Sequence, residues 1–223
     1  MEDRITYALK NFFLNTKFHY DSNLPAYELL EHNKGGLGES RLVVHVGTAE
    51  TICIKNYDKF PKWGILNNRK NIHMHKCVDH FIFKQNQLGT WELHIFEMKT
   101  SIGFNTWLDD IRYKMRSSYL SIKAIAVYLG VTIKDDNITI YTTYEKECMN
   151  ISEMQSPQTI LPTIGGRAVD LKKEEWDADI IRVPIIISES NPYNVETFVK
   201  LRHKKILMKR SANKILENEI SLA

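Results

Sequence analysis

The chain has 223 residues, 43% of them hydrophobic, and a formal net charge of +3, which suits one sizeable domain, or a domain with an appended element, of ordinary globular composition. No apolar run approaches the ~20 residues of a membrane helix, the charged start MEDRITYALKNFF has no signal-peptide core, and a cytoplasmic protein is expected. Three scattered cysteines, Cys53, Cys77 and Cys148, argue against a disulfide framework and a CxxC zinc site and for reduced core thiols.

In chain order, Ile5 to Phe18 has the spacing of a short amphipathic helix, and Leu24 to His32 predicts a further helical turn or two. Arg41 to Val46 and Thr51 to Asn56 read as a strand pair about Gly47 to Glu50, and Asp58 to His75 as an irregular, polar stretch. Cys77 to Lys84 and Trp91 to Lys99 then form a hairpin across Gln85 to Thr90. Strand alternation puts Cys77, Asp79, Phe81 and Phe83 on one face of the first arm, and Trp91, Leu93, Ile95, Glu97 and Lys99 on one face of the second. If Asp79 lies across from Glu97, then Lys84 meets Glu92, His80 meets Phe96, and Gly89 serves a three-residue turn in the left-handed conformation. A one-residue slip would put the two acids on opposite faces. In the first register two carboxylates stand with Cβ atoms about 4.5–5.5 Å apart, beside Lys99, and ask for a cation.

Asp79 followed by Glu97-Met98-Lys99 resembles the active-site signature of the PD-(D/E)XK, or restriction-endonuclease-like, nucleases, with Val78 standing where the signature has Pro. The resemblance covers Arg41 to Glu145. It implies a mixed central β-sheet flanked by helices, and a Mg²⁺ or Mn²⁺ ion held by Asp79, Glu97 and a main-chain carbonyl near Met98. Lys99 would position or activate the attacking water. It also implies a further acid from an upstream helix, with Glu39 ahead of Glu28 and Glu31, and a homodimer acting on DNA ahead of RNA. Two readings from other classes stand beside it: a nucleic-acid-binding or regulatory protein on the same fold without catalysis, and a phage or defence protein that binds another protein.

After Lys99 comes the clearest helix, with Asn105 or Thr106 as N-cap, Asp109 and Asp110 in its first turns and Gly130 beyond its end. Leu108, Ile111, Met115, Ser118, Ile122, Ile125 and Leu129 form its buried stripe. A second row, Arg112, Arg116, Tyr119 and Lys123, is either a solvated face or a nucleic-acid contact in which the guanidiniums meet phosphates and the tyrosine stacks on a base. Asn137 to Tyr144 is the next strand, which closes a core over 1–145. In the extension over 146–223, expected to pack on the same domain, Ser156 to Gly166 reads as a linker and Asp170 to Asp179 as an acidic stretch. Ile180 to Ser188 is a strand that Pro184 confines to an edge or a bulge, and Val195 to about Leu216 is a basic terminal helix. From Thr197 to Lys214 there are seven Lys or Arg and no Asp or Glu, so any attraction for phosphate is local. His73, His75, His80 and His94 lack the spacing of a zinc finger and are expected to be ordinary polar or core histidines, with zinc or proton transfer as the minor readings.

Overall fold

Period-two alternation dominates this chain far more than its composition suggests. The structure, a computed structural model, describes residues 7, 20–32, 38–59, 76–103, 106–149, 176–187 and 195–222. Among them the elements run β1 (Tyr20–Ser22), β2 (Ala26–His32), β3 (Glu39–His45), β4 (Thr51–Ile54), β5 (His80–Gln85), β6 (Trp91–Met98), β7 (Ser101–Gly103), α1 (Arg112–Tyr128), β8 (Ile138–Tyr144), β9 (Lys146–Cys148), β10 (Ile180–Ile187), β11 (Val195–Leu207), β12 (Lys209–Arg210) and β13 (Leu216–Ser221). A seven-stranded mixed sheet has the order β1-β4-β5-β6-β8-β11-β10, a four-stranded sheet the order β12-β13-β3-β2, and β7 pairs with β9. No helix of the described residues is long and apolar enough to cross a membrane.

Three layers follow from the two faces of the large sheet. On one face Phe81, Phe83, Leu93, Ile95, Ile138 and Ile140 pack against the helix stripe Ile111, Met115, Ile122, Ile125 and Leu129. On the other, Ile82, Phe96, Met98 and Tyr141 meet Tyr27, Leu29, Leu42, Val44 and Leu216 of the second sheet. Covered on both sides, β6 is buried along almost its whole length, and each large apolar side chain so enclosed contributes about 1.5–3 kcal/mol. The helix enters through one π-helical turn, Trp107–Ile111, without a side-chain cap from Thr106. It ends before Gly130, whose φ of +71° is the left-handed stop expected there.

The β5–β6 register pairs His80 with Phe96 and Lys84 with Glu92, as alternation and turn chemistry predict. Asn86 and Thr90 close the loop, and Gly89 has φ +73°. Pro184 sits in β10, the edge strand, next to a register irregularity between Pro184 and Ile186. Three expectations are overturned. Residues 24–32 are not helical: β2 alternates, with Tyr27 and Leu29 buried and Glu28 exposed. The segments on either side of Gly47 to Glu50 are both extended but do not pair, because β3 joins β2 and β13 while β4 joins β1 and β5. The basic C-terminal helix does not exist. Val199, Leu201 and His203 turn inward while Lys200, Arg202 and Lys204 turn outward, so β11 inserts between β8 and β10 and satisfies an edge of β8 that a helix would leave bare. The C-terminal strands β10, β11 and β13 thus lie in the same sheets as β2 to β6 and β8. Apart from Tyr7, the helix expected over 5–18 lies outside the described residues, as do 60–75 and the stretches 156–166 and 170–175.

Candidate active site

The site forms where β5 begins and β6 ends. Asp79 precedes β5 but continues its ladder, donating its N–H to the Phe96 carbonyl at 3.2 Å, and so stands across from Glu97 on the helix-side face. Two anchors hold it. The Tyr57 N–H donates to the Asp79 carbonyl at 2.7 Å, and the Val78 N–H donates to Ser118 Oγ of α1 at 2.9 Å. Asp79 is 3% exposed and Glu97 0%, an arrangement that demands compensation for two buried carboxyls.

Compensation comes from lysines. Lys99 Nζ lies 2.9 Å from Glu97 Oε1 and 3.2 Å from Asp110 Oδ2. Lys114 Nζ of α1 lies 2.7 Å from the same Glu97 oxygen and 3.8 Å from Asp79 Oδ1, and Lys76 Nζ lies 3.1 Å from Asp110 Oδ1. The Met98 N–H donates to Asp79 Oδ2 at 2.6 Å, so Met98 serves the site through its backbone while its side chain packs between the sheets. Glu97 Oε2 is buried and has no hydrogen-bond partner. Burial first, and then the Glu97 charge, push the Asp79 carboxyl well above the usual carboxylate range. Burial opposes the charge of both lysines, but Glu97 with Asp110 at Lys99, and Glu97 with Asp79 at Lys114, outweigh it and hold both ammoniums above their ordinary values. Asp110 is held low despite its burial, by Lys99 and then Lys114.

Asp79, Glu97 and Lys99 are therefore brought together. Glu39 is engaged elsewhere, 3.2 Å from His32 Nδ1, and Glu28 pairs with Arg41. All three upstream acids lie on strands rather than on a helix, Glu28 and Glu31 in β2 and Glu39 in β3, and Glu31 is the one in electrostatic reach of Asp79, Glu97 and Lys114. Its Oε2 is buried without a hydrogen-bond partner, and burial raises its carboxyl pKa. No motif in the sequence marks Lys114 or Asp110 as a site residue. Their signal is a four-residue spacing, Asp110, Lys114, Ser118, which places both in one row that ends on Ser118 of the buried stripe.

The row Arg112, Arg116, Tyr119 and Lys123 is spread over different environments. Arg112 is half-buried. Arg116 is 3% exposed, its guanidinium lies 5.2 Å from the centre of the Tyr113 ring, and its Nε and Nη2 have no hydrogen-bond partner. The Tyr119 hydroxyl donates to Asp135 at 2.9 Å, and Lys123 donates to Ile133 O at 2.6 Å and to Asp135 at 3.0 Å, so both brace the loop that leads into β8. His80 and His94 are buried on the face opposite Asp79 and Glu97, bonded to the Asn56 N–H at 3.2 Å and to the Tyr141 hydroxyl at 3.2 Å. His73 and His75 lie outside the described residues.

Among the described residues no three His, Cys, Asp or Glu side chains converge into a metal-binding group, so the fit of an ion rests on the carboxylate pair. The pair suits a hard dication that keeps several waters and needs only one or two protein carboxylates, and Glu97 Oε2 leaves it an unsatisfied oxygen. No family model matches this chain, and neither a curated protein nor a solved structure matches it.

Proposed function

We propose that this protein is a divalent-metal-dependent nuclease that hydrolyses phosphodiester bonds on a restriction-endonuclease-like core. The observation that carries the reading is Glu97, fully buried opposite Asp79, with two ammoniums on one oxygen and nothing on the other. A network that served folding alone would be expected to satisfy every buried oxygen, since an ion pair in the interior is a weak source of stability. The order of elements supports the same reading: β4, β5 and β6 antiparallel, then α1, then β8 parallel to β6.

Asp79 and Glu97 would hold Mg²⁺ or Mn²⁺, which when bound supplies a water of lowered pKa and neutralises charge building at phosphorus. Lys99, kept charged and oriented by Glu97 and Asp110, is placed to bond the attacking water or a phosphate oxygen. Lys114 adds a second cation from the helix side. The Met98 N–H fixes one Asp79 oxygen, and the other, 3.8 Å from Lys114 Nζ, is the one that would turn toward a ligand. By the resemblance, DNA is the substrate ahead of RNA and the working unit is a homodimer.

One observation favours a second reading, a binding protein without catalysis: Lys114 Nζ already stands between the two carboxyls and supplies a cation from within the chain. A cleavage assay with Mg²⁺ or Mn²⁺ on single- and double-stranded DNA and RNA separates the two. The nuclease reading expects cutting that is lost in Asp79→Ala, Glu97→Ala and Lys99→Ala. Cutting that persists in both carboxylate variants, or no cutting with either ion, would leave the binding protein.

A further inference from the structure

The second sheet does not cover the whole of the large one. Its core reaches β4, β5, β6 and Tyr141 of β8, takes in Ile206 near the end of β11, and includes nothing from β10. Beyond that limit, among the described residues, the same face of β10 and β11 carries exposed side chains, with Pro184 the buried exception. Cross-strand partners share a face, and the partners here are Ile180 with Arg202, Arg182 with Lys200, and Pro184 with Phe198. Arg202 and Lys204 continue the row onto Thr139 and Tyr141 of β8. Strand alternation thus sorts three cations of the run that reads as a basic helix, Lys200, Arg202 and Lys204, onto this one face.

Four cations, Arg182, Lys200, Arg202 and Lys204, are exposed on this face beside two apolar groups that a covered sheet would bury, Phe198 at 43% and Ile180 at 56% exposure. The Arg182 guanidinium lies 5.0 Å from the centre of the Phe198 ring, and Lys204 Nζ lies 5.9 Å from that of Tyr141. Arg202 is oriented by donating to the Asp136 carbonyl. A carboxylate on this face, Glu92 of β6, is taken up by Asn86 at 3.3 Å and His94 at 3.6 Å. Successive outward residues of a strand stand about 6.8 Å apart at a rise of about 3.4 Å per residue. Lys204 is two strands across from Phe96, about 10 Å at the usual strand spacing, so the stripe ends level with the end of β6 that carries Glu97 but on the opposite face of the sheet, and a strand bound here reaches the site only by passing around that end.

We infer that this open face of β10 and β11 binds a single strand of nucleic acid, with phosphates on Arg182, Lys200, Arg202 and Lys204 and a base stacked on Phe198. The inference rests on the nuclease reading for its class of ligand. A flat face with an exposed ring and a line of cations suits an unpaired strand, whose bases offer open π-faces. It offers no protruding helix to enter a duplex groove.

The test uses the full chain carrying Asp79→Asn, which blocks cleavage while keeping an acceptor for the Met98 amide, and measures anisotropy of a labelled single-stranded oligonucleotide across a salt series. Lys200→Glu with Lys204→Glu is expected to weaken binding by roughly tenfold and to make the log–log salt slope shallower by about 1.4, at about 0.7 per single-strand phosphate. Phe198→Ala is expected to weaken binding at least about fivefold with the slope unchanged. Circular dichroism of these exposed-site variants should match the parent. Unchanged affinity and slope in the double variant overturn the inference, as does duplex bound as tightly as single strand. Displacement by polyglutamate as effective as by oligonucleotide of equal charge also overturns it and assigns the face to an acidic protein. The two readings fail separately: binding as described without cleavage by the parent chain removes the nuclease and leaves this face, whereas cleavage with charge-insensitive binding does the reverse.

Discussion

Lys114 is the side chain on which the buried carboxyls most depend. Its contact with Glu97 Oε1 at 2.7 Å is worth roughly 6 kcal/mol of Coulomb attraction at an effective dielectric of about 20, before desolvation. Removing one member of a buried pair costs about 3–5 kcal/mol. Because Lys99 remains 2.9 Å from the same oxygen, Lys114→Met should fall at the lower end, about 3 kcal/mol. Urea denaturation in chelator gives the number, read from a shift in midpoint at constant slope. The same substitution in a Glu97→Gln background should cost far less, since the charge that needs Lys114 is gone. Excess Mg²⁺ should then stabilise Lys114→Met by about 2.7 kcal/mol at a hundredfold excess over the variant's dissociation constant, and the parent by less, because in the variant no ammonium competes for the pair. A loss below about 1 kcal/mol, within the range of a solvated surface pair, would refute the claim that Lys114 neutralises a buried site. Equal Mg²⁺ effects in the parent and in Glu97→Gln would refute the cation site itself.

Burial, ahead of the Lys205 charge, lowers the pKa of His203 from 6.5 to about 3 between Trp107 and Trp176. The unfolded chain takes up the proton first, so stability present above pH 6.5 is lost as pH falls toward 3. At about pH 5, His203→Gln should flatten stability against pH by about 1.4 kcal/mol per pH unit, and an unchanged acid limb would count against a neutral buried imidazole. Gly38 and Gly89 both have positive φ, but a Cβ on Gly38 would stand 2.8 Å from the Lys214 carbonyl oxygen, whereas one on Gly89 meets nothing within 4 Å. Gly89→Ala should cost about 1–2 kcal/mol from backbone strain alone and Gly38→Ala clearly more, and thermal melts showing the opposite ranking would contradict this. Arg116, buried with two guanidinium nitrogens unpartnered, should be replaceable by Met with a gain of about 1 kcal/mol or more. Loss of stability on that change would mean that the contact with the Tyr113 ring outweighs desolvation.

What could be read from the chain is what local pattern decides. The hairpin register follows from Gly89 and from alternation over Phe81, Phe83, Leu93 and Ile95, because a slip of one residue would send those side chains to the other face. Pro184 marks an edge strand because it cannot donate within a ladder. The errors fall where intrinsic preference opposed tertiary pairing. Ala26-Tyr27-Glu28-Leu29-Leu30 favours helix, yet it is extended because Tyr27 and Leu29 fill the second core. In the same way the Lys- and Leu-rich run after Val195 contains both periods, and only the unpaired edge of β8, far away in sequence, selects the strand.

The candidate site divides along the same line. Asp79, Glu97 and Lys99 lie on one hairpin, so alternation alone brings them together. Asp110 and Lys114 come from a helix whose buried stripe is plain, but the stripe has two flanks, and sequence spacing does not say which flank overhangs the end of β6. The basic row of Arg112, Arg116, Tyr119 and Lys123 stands out by composition, whereas the row of Asp110, Lys114 and Ser118 mixes one acid, one base and one hydroxyl of the stripe itself. The crossover from β6 through α1 to the parallel β8 decides the matter, because a right-handed connection is the strongly preferred one and sets the side on which the helix lies. With Ser118 bonded to the Val78 N–H, Lys114 one turn earlier falls above Asp79, and Asp110 a further turn back meets Lys99 and Lys76. The chemistry at Glu97 is thus assembled by topology from a row of residues that carries no motif of its own.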